Sequence, residues 1–363
     1  MSSSANHRLR VAGVDPGTVS FDLCVLEDGG TVIEEVFASG SLSEDSGPLL
    51  DALARHGPYD LVYGPSGYGV PLLPAAQVGE RELAEMVLVR PDESRVRAGV
   101  GGMRSLLRAL AGSGLPVIFG PGVIHLPSVP RYRKYNRIDL GTADKVCAAA
   151  CAIADQSRRW AIPVDETAMV LVELGGAFTA AIAIARGQIV DGMGGSSGPL
   201  GARAVGALDG ELAYLLGPAL RKDTLYSGGA LDPAGTLSLT DLDALWASAA
   251  HAEGWAALLE AAVKAVRALS VSVPAPNEVV VSGRLARLPG LIAALAASLQ
   301  DFAPVVAVVP GRASAAALGG ALLADGLAGG RNAALAEVLR LRESSGTVLD
   351  YLRVAGAETI SLG

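Results

Sequence analysis

Residues 9–37 read LRVAGVDPGTVSFDLCVLEDGGTVIEEVF. An apolar run from Leu9 ends at Asp15-Pro16-Gly17-Thr18, and Ser20 to Glu27 follows as a second strand. Asp28-Gly29-Gly30 makes a hairpin turn, and Thr31 to Phe37 alternates as a third strand. The same device returns 158 residues later as MVLVELGGAFTAAIAIARGQIV, residues 169–190. There Glu173 takes the place of Asp15, Gly175-Gly176 forms the corner and Arg186-Gly187-Gln188 the turn. Taken singly, each is an ordinary glycine hairpin. Their recurrence in matching positions at the head of each half predicts two similar α/β domains facing each other.

The chemistry available to such a pair follows from its residue types. A carboxylate at the C-terminal end of a strand can hold a hydrated divalent cation, and glycines let the backbone come within hydrogen-bond range of an anion. Two opposed corners can clamp the phosphates of a nucleotide together with its Mg²⁺. Between and after the repeats, strand and helix signals alternate, as an α/β chain requires. The expected organisation is a first domain over residues 1–165, a second over 166–345 and a tail over 346–363.

Composition narrows the setting. Of 363 residues, 50% are apolar and 18% charged, enough to build a sizeable core. The net charge of −8 argues against a general nucleic-acid binder. Three cysteines, Cys24, Cys147 and Cys151, make neither a disulfide framework nor a zinc pattern, so a cytoplasmic location is the simplest expectation. The apolar stretch Thr167 to Ala185 is split by Gly175-Gly176 and reads as two buried strands rather than a membrane span. No Walker A or G-x-G-x-x-G pattern occurs. Gly64-Pro65-Ser66-Gly67 lacks the spacing of a nucleophile elbow, and Ser66, Gly67 and Tyr68 read as a substrate loop offering hydroxyls or as a plain turn. A homodimer is the expected form of any assembly.

Cations gather in one place. Arg131, Arg133, Lys134 and Arg137 fall within seven residues of an acidic chain, and two of the four lysines, Lys134 and Lys145, lie between 131 and 145. Asp139, Asp144 and Lys145 follow, with Gly141-Thr142 opening a helix that Thr142 would cap. A phosphoryl-transfer site needs such cations to match charge on the moving group, and often a carboxylate to orient the nucleophile. The same aspartates also suit a helix N-terminus for purely electrostatic reasons.

These motifs resemble, in order, those of the superfamily of actin, heat-shock chaperones, sugar kinases and acetate kinases. Asp15 to Thr18 is similar to its first phosphate motif, Glu173 to Gly176 to its second, and Val279 to Gly283 with Arg284 to its adenosine motif. The segments Gly64 to Gly69, Arg133 to Lys145 and Gly206 to Glu211 resemble a mostly archaeal family described as predicted butyrate kinases. The resemblance implies two ribonuclease H-like (actin-like ATPase) domains with a nucleotide cleft between them. It also implies an ATP-dependent kinase, using Mg²⁺, that transfers the γ-phosphoryl group to a small carboxylate or hydroxyl acceptor. On that reading Asp15, Gly17, Thr18, Gly175, Gly176, Gly283 and Arg284 bind the nucleotide, and Asp15 and Glu173 hold the metal. Asp144 is the base or the carboxylate that orients the acceptor, by its similarity to the aspartate of the G-A-D-R segment of type III pantothenate kinases, the base for the acceptor hydroxyl there. Lys145 or Arg137 neutralises the transferring group, while Ser66, Gly67, Tyr68, Arg133 and Asp139 bind the acceptor. Two departures favour an alternative, a nucleotide-binding regulator without catalysis. Glu173 stands where aspartate is usual, and Pro16 removes an amide donor from the first corner.

Overall fold

The computed structural model describes residues 8–17, 20–38, 46–93, 100–232 and 241–363. Thr18 lies outside the described residues. Strands β1 (Arg10–Pro16), β2 (Ser20–Glu27), β3 (Gly30–Ala38), β4 (Leu61–Gly64), β5 (Leu73–Pro74) and β6 (Val117–Phe119) form one sheet in the order β3-β2-β1-β4-β6-β5. Strands β7 (Ala168–Leu174), β8 (Thr179–Ala185), β9 (Gln188–Met193), β10 (Glu278–Ser282) and β11 (Val305–Ala307) form a second, ordered β11-β10-β7-β8-β9. Apart from β5, an antiparallel addition at one edge, the two orders are the same. In each, an antiparallel hairpin leads and two parallel strands follow on the other side of the first strand.

The repeat extends below the level of strands. Register shifts fall between Val25 and Leu26 in the first sheet and between Ala183 and Ile184 in the second, at the same 158-residue offset that separates Asp15 from Glu173. The tight turns match as well, with positive φ at Asp28-Gly29 and at Arg186-Gly187. Such left-handed pairs fit the right-handed twist of a hairpin.

Helices Ala143–Trp160 and Ala315–Leu327 lie between the sheets. One central core joins Val11, Cys24 and Leu26 of the first sheet to Met169, Leu171, Ile182 and Ile184 of the second through both helices. The alternate residues point outward: Ala12, Leu23 and Val25 into a core roofed by Leu49, Leu53 and Leu107, and Val170, Val172 and Ala183 into one roofed by Leu258, Val266 and Leu295. The helix Ala315–Leu327, AAALGGALLADGL, is apolar on nearly every side because it has protein on nearly every side. Its backbone touches its neighbours directly. A Cβ on Gly13 would come 2.2 Å from Ala317 O, and one on Gly319 would come 1.8 Å from Cys147 O.

The chain passes between the lobes more than once. Helix Ala315–Leu327, which follows the second sheet in sequence, packs on β1. Residues after Ser344 fold back on the first lobe: Asn136 N donates to Tyr351 O (3.0 Å), Gly363 N donates to Val89 O (2.8 Å), and Val348 is fully buried in the central core. Asp209 caps helix Gly210–Leu216, accepting from Glu211 N and Leu212 N. Among the described residues, no helix is long and apolar enough to cross a membrane, and the stretch Thr167 to Ala185 forms β7 and β8.

Candidate functional site

Asp15 and Glu173 are the last residues but one of β1 and β7, at the C-terminal ends of the parallel strands of the two sheets. In open α/β sheets that is where ligands sit. Both carboxylates line a single cleft of about 760 Å³. Gly17, Gly175, Gly176, Gly283, Arg284, Ser66, Gly67, Tyr68, Asp139, Asp144 and Lys145 line it too. The backbone crowds around the second corner. Gly283 has φ +90°, and a Cβ there would come 2.5 Å from Leu174 O and 2.6 Å from Glu173 Oε1.

Lys145 joins the lobes. Its Nζ lies 2.5 Å from Asp144 Oδ2 and 2.7 Å from Glu173 Oε2, the second contact being an ion pair out of hydrogen-bond alignment. The extra methylene of Glu173 lengthens its reach by about one bond. Thr142 is the N-cap residue of helix Ala143–Trp160, but its hydroxyl donates to Asp144 Oδ1 instead of capping the backbone. Burial works against the charge of Lys145, yet Asp144 and Glu173 outweigh it and hold the ammonium protonated. Burial likewise pushes Asp144 up, and Lys145 with Thr142 more than reverses it, so Asp144 is held below the ordinary carboxylate value. Glu173 is raised, chiefly by burial. Asp15 is raised to about 7 by burial and by the charge of Asp144, against the hydrogen bond from Ser314 Oγ (2.6 Å).

Asp139 lines the cleft with its carboxylate already engaged. Oδ1 accepts from Gly141 N (3.0 Å), and Oδ2 accepts from Ser196 N (2.9 Å) and Ser196 Oγ (2.8 Å). It therefore fastens one lobe to the other. Ser66 Oγ accepts from Gly120 N (2.9 Å), and Gly67 O accepts from Ala143 N (2.9 Å), which sets the first turn of the helix that carries Asp144. Tyr68 Oη accepts from Lys222 Nζ (3.1 Å).

Arg133 and Arg137, expected at the site, do not line the cleft. Arg133 donates to Val190 O (2.7 Å) and lies 3.6 Å from Asp191 Oδ2, so it is spent on β9. Lys134 Nζ donates to Leu126 O (2.9 Å), and Arg137 is exposed. The basic run turns away from the cleft because its neighbours are tied to β9 and to residues 351–353. Several lining residues escaped the sequence reading. The loop from Val308 to Ser314 is one, and only its Pro310-Gly311 turn and a serine ahead of an alanine run marked it. Glu34 Oε2 and Oε1 accept from Arg312 N and Ala313 N, and Asp22 Oδ2 accepts from Ser314 N (2.7 Å), so carboxylates of β2 and β3 hold this loop. Phe178 and Tyr226, edge to face at 5.1 Å, carried no motif signal.

A family model described as a protein of unknown function (DUF1464) matches residues 13–354. The chain belongs to that family. The match spans both acidic corners and the whole cleft lining. No curated protein matches the chain. Among solved structures, a propionate kinase from Francisella tularensis subsp. tularensis SCHU S4 is similar with a TM-score of 0.61 at 10% identity, over 86% of this chain and 98% of that one. An acetate kinase from Porphyromonas gingivalis gives 0.56 at 11% over 86% and 98%, and one from Entamoeba histolytica 0.55 at 11% over 80% and 86%. At these identities the likeness establishes the fold. This DUF1464 member is an α/β protein of two ribonuclease H-like (actin-like ATPase) domains, as the motifs implied.

Proposed function

We propose that this protein is an ATP-dependent phosphotransferase, similar to butyrate kinases, that passes the γ-phosphoryl group to a small carboxylate or hydroxyl acceptor. The observation that carries this is the convergence of two acidic glycine corners, from opposite lobes, on one cleft bridged by Lys145. The backbone at Gly17, Gly175 and Gly176, with Thr18, would hold the phosphates. Gly283 and Arg284 would border the adenosine, and Ser66, Gly67 and Tyr68 the acceptor. Lys145 would turn from its carboxylates to the γ-phosphoryl.

Three carboxylates, Asp15, Asp144 and Glu173, surround one ammonium in the cleft, and a cation bound there would favour the ionised forms of Asp15 and Glu173 that burial opposes. Among the described residues, no three acidic, histidine or cysteine side chains are placed to grip a metal directly. Mg²⁺ suits that donor set, because it keeps several waters and is usually held by one or two carboxylates and by phosphates. When bound it would neutralise phosphate charge, with Asp15 and Glu173 around its waters. Asp144, held low, is a weak base, which favours a carboxylate acceptor that is already a nucleophile. The pairing of Glu173 with Lys145 favours a second reading, a nucleotide-binding regulator without turnover.

Calorimetry with ATP and Mg²⁺, followed by ADP release across a panel of small acids and alcohols, separates these. Binding with acceptor-dependent turnover supports the phosphotransferase, binding alone the regulator. Absence of ATP binding removes both.

A further inference from the structure

Lys222 is a second cationic centre with its own surroundings. The charges that act on it are Tyr226, Asp139 and Glu93, whereas those on Lys145 are Asp144 and Glu173. Its Nζ donates to Tyr68 Oη and lies 4.6 Å from the centre of the Tyr68 ring. Neither nearby carboxylate is available to it. Glu93 takes Arg90 on one oxygen and the Lys222 backbone N–H on the other (2.8 Å), and Asp139 is filled by Gly141 and Ser196. Among the described residues, no carboxylate forms an ion pair with this ammonium, and burial pulls its pKa down.

The segment is held in place across the lobes. Arg90 donates to Leu220 O (3.2 Å) and Glu93 Oε2 accepts from Lys222 N, so the backbone here is fixed, and Lys222, which does not itself line the cleft, meets it through Tyr68. Tyr68 Oη accepts from Lys222 and is also hydrogen-bonded with Ser196, and Tyr68 lines the cleft, where an acceptor carboxylate would compete with Ser196 for an onward hydrogen bond from the phenol. An ammonium polarising a phenol strengthens that onward hydrogen bond. The wall beside it is apolar: Met86, Val87, Met103, Phe178 and Tyr226. A half-buried cation with no carboxylate paired to it, next to an apolar wall, is complementary to an anion on a carbon chain.

We propose that Lys222, acting with Tyr68, recognises a carboxylate on the acceptor that is distinct from the group receiving phosphate, so that the acceptor is a small two-headed acid. This rests on the phosphotransferase reading. The occupant predicted is an aliphatic hydroxy acid or diacid, not a simple fatty acid.

The test uses four-carbon compounds: 4-hydroxybutyrate, succinate, butyrate and 1,4-butanediol. The full-length protein and its Lys222→Met, Lys222→Arg and Tyr68→Phe variants are compared, each checked for folding by thermal melting. In the wild type, KM for 4-hydroxybutyrate or succinate should be lower than for butyrate and for the diol by about tenfold or more. Lys222→Met should raise KM for the favoured acid by about tenfold or more while KM for ATP stays within about twofold, and Lys222→Arg should recover part of the loss. Calorimetry with succinate and 4-hydroxybutyrate on the protein reads the same site without turnover. An unchanged acid KM or Kd in Lys222→Met, equal preference for the diol, or no binding of either acid by the wild type overturns the proposal. Failure of the wild type to bind ATP, with acid binding intact and sensitive to Lys222, overturns the kinase reading instead.

Discussion

Asp15 and Asp144 share the field of one ammonium yet titrate in opposite directions, because Asp144 touches Lys145 and Asp15 does not. With its value at about 7 against roughly 4 in an unfolded chain, Asp15 keeps in the folded state a proton that the unfolded state has lost. Its contribution to stability is therefore full below about pH 4 and disappears as pH rises through about 7. Thermal melting of the free protein between pH 5 and 8 should show this decline, and Asp15→Asn should flatten it. A slope that survives the substitution assigns the titration to another group. Asp144→Asn, by loosening the acceptor it would orient, should reduce turnover by about 10–10²-fold with nucleotide affinity retained, as steady-state rates beside calorimetry will show. Unchanged turnover leaves Asp144 the role of holding Lys145. Their place at the cleft was legible in the sequence, for Asp15 because its glycine corner recurs at Glu173, and for Asp144 because it follows Thr142 at a helix start. That Arg133 and Arg137 lie outside the cleft lining was not legible, because charge density along a chain does not reveal which way the side chains turn.

At the scale of elements, what decides the fold is the hairpin and its glycine corner, visible twice at one spacing. The matched register shifts at Val25 and Ala183 were not visible, since a bulge needs no special residue. Nor were Phe178, Tyr226 and Lys222, which reach the cleft region from loops and a short 3₁₀ turn without periodicity. The seam of β1 with helices Ala143–Trp160 and Ala315–Leu327 depends on absent side chains. Gly13→Ala and Gly319→Ala each place a methyl group within 2.2 Å of backbone atoms, so each should destabilise by about 1–3 kcal/mol or more in urea unfolding. Neutral substitutions would show that the helices can separate freely.

For the whole molecule, the fold was expected from three motifs in order, while the closeness of its lobes had to be seen. Asp139 draws three donors to one carboxylate, two of them from Ser196 across the cleft. Asp139→Asn should lower stability by about 1.5–3 kcal/mol, the range of hydrogen bonds to a charged group. It should also raise ATP hydrolysis relative to transfer, because a loosened cleft admits water. Parallel assays of phosphate release and product formation measure that ratio, and a constant ratio would place the fastening of the lobes elsewhere. The glycine seam has a mechanical consequence. Where Gly13 meets Ala317, and Gly319 meets Cys147, main chain rests on main chain with nothing soft between. A rotamer change cannot absorb a displacement there. When one lobe swings, the two inner helices must pass the movement on like meshed cogs, and the amide protons along them should exchange with heavy water as one block.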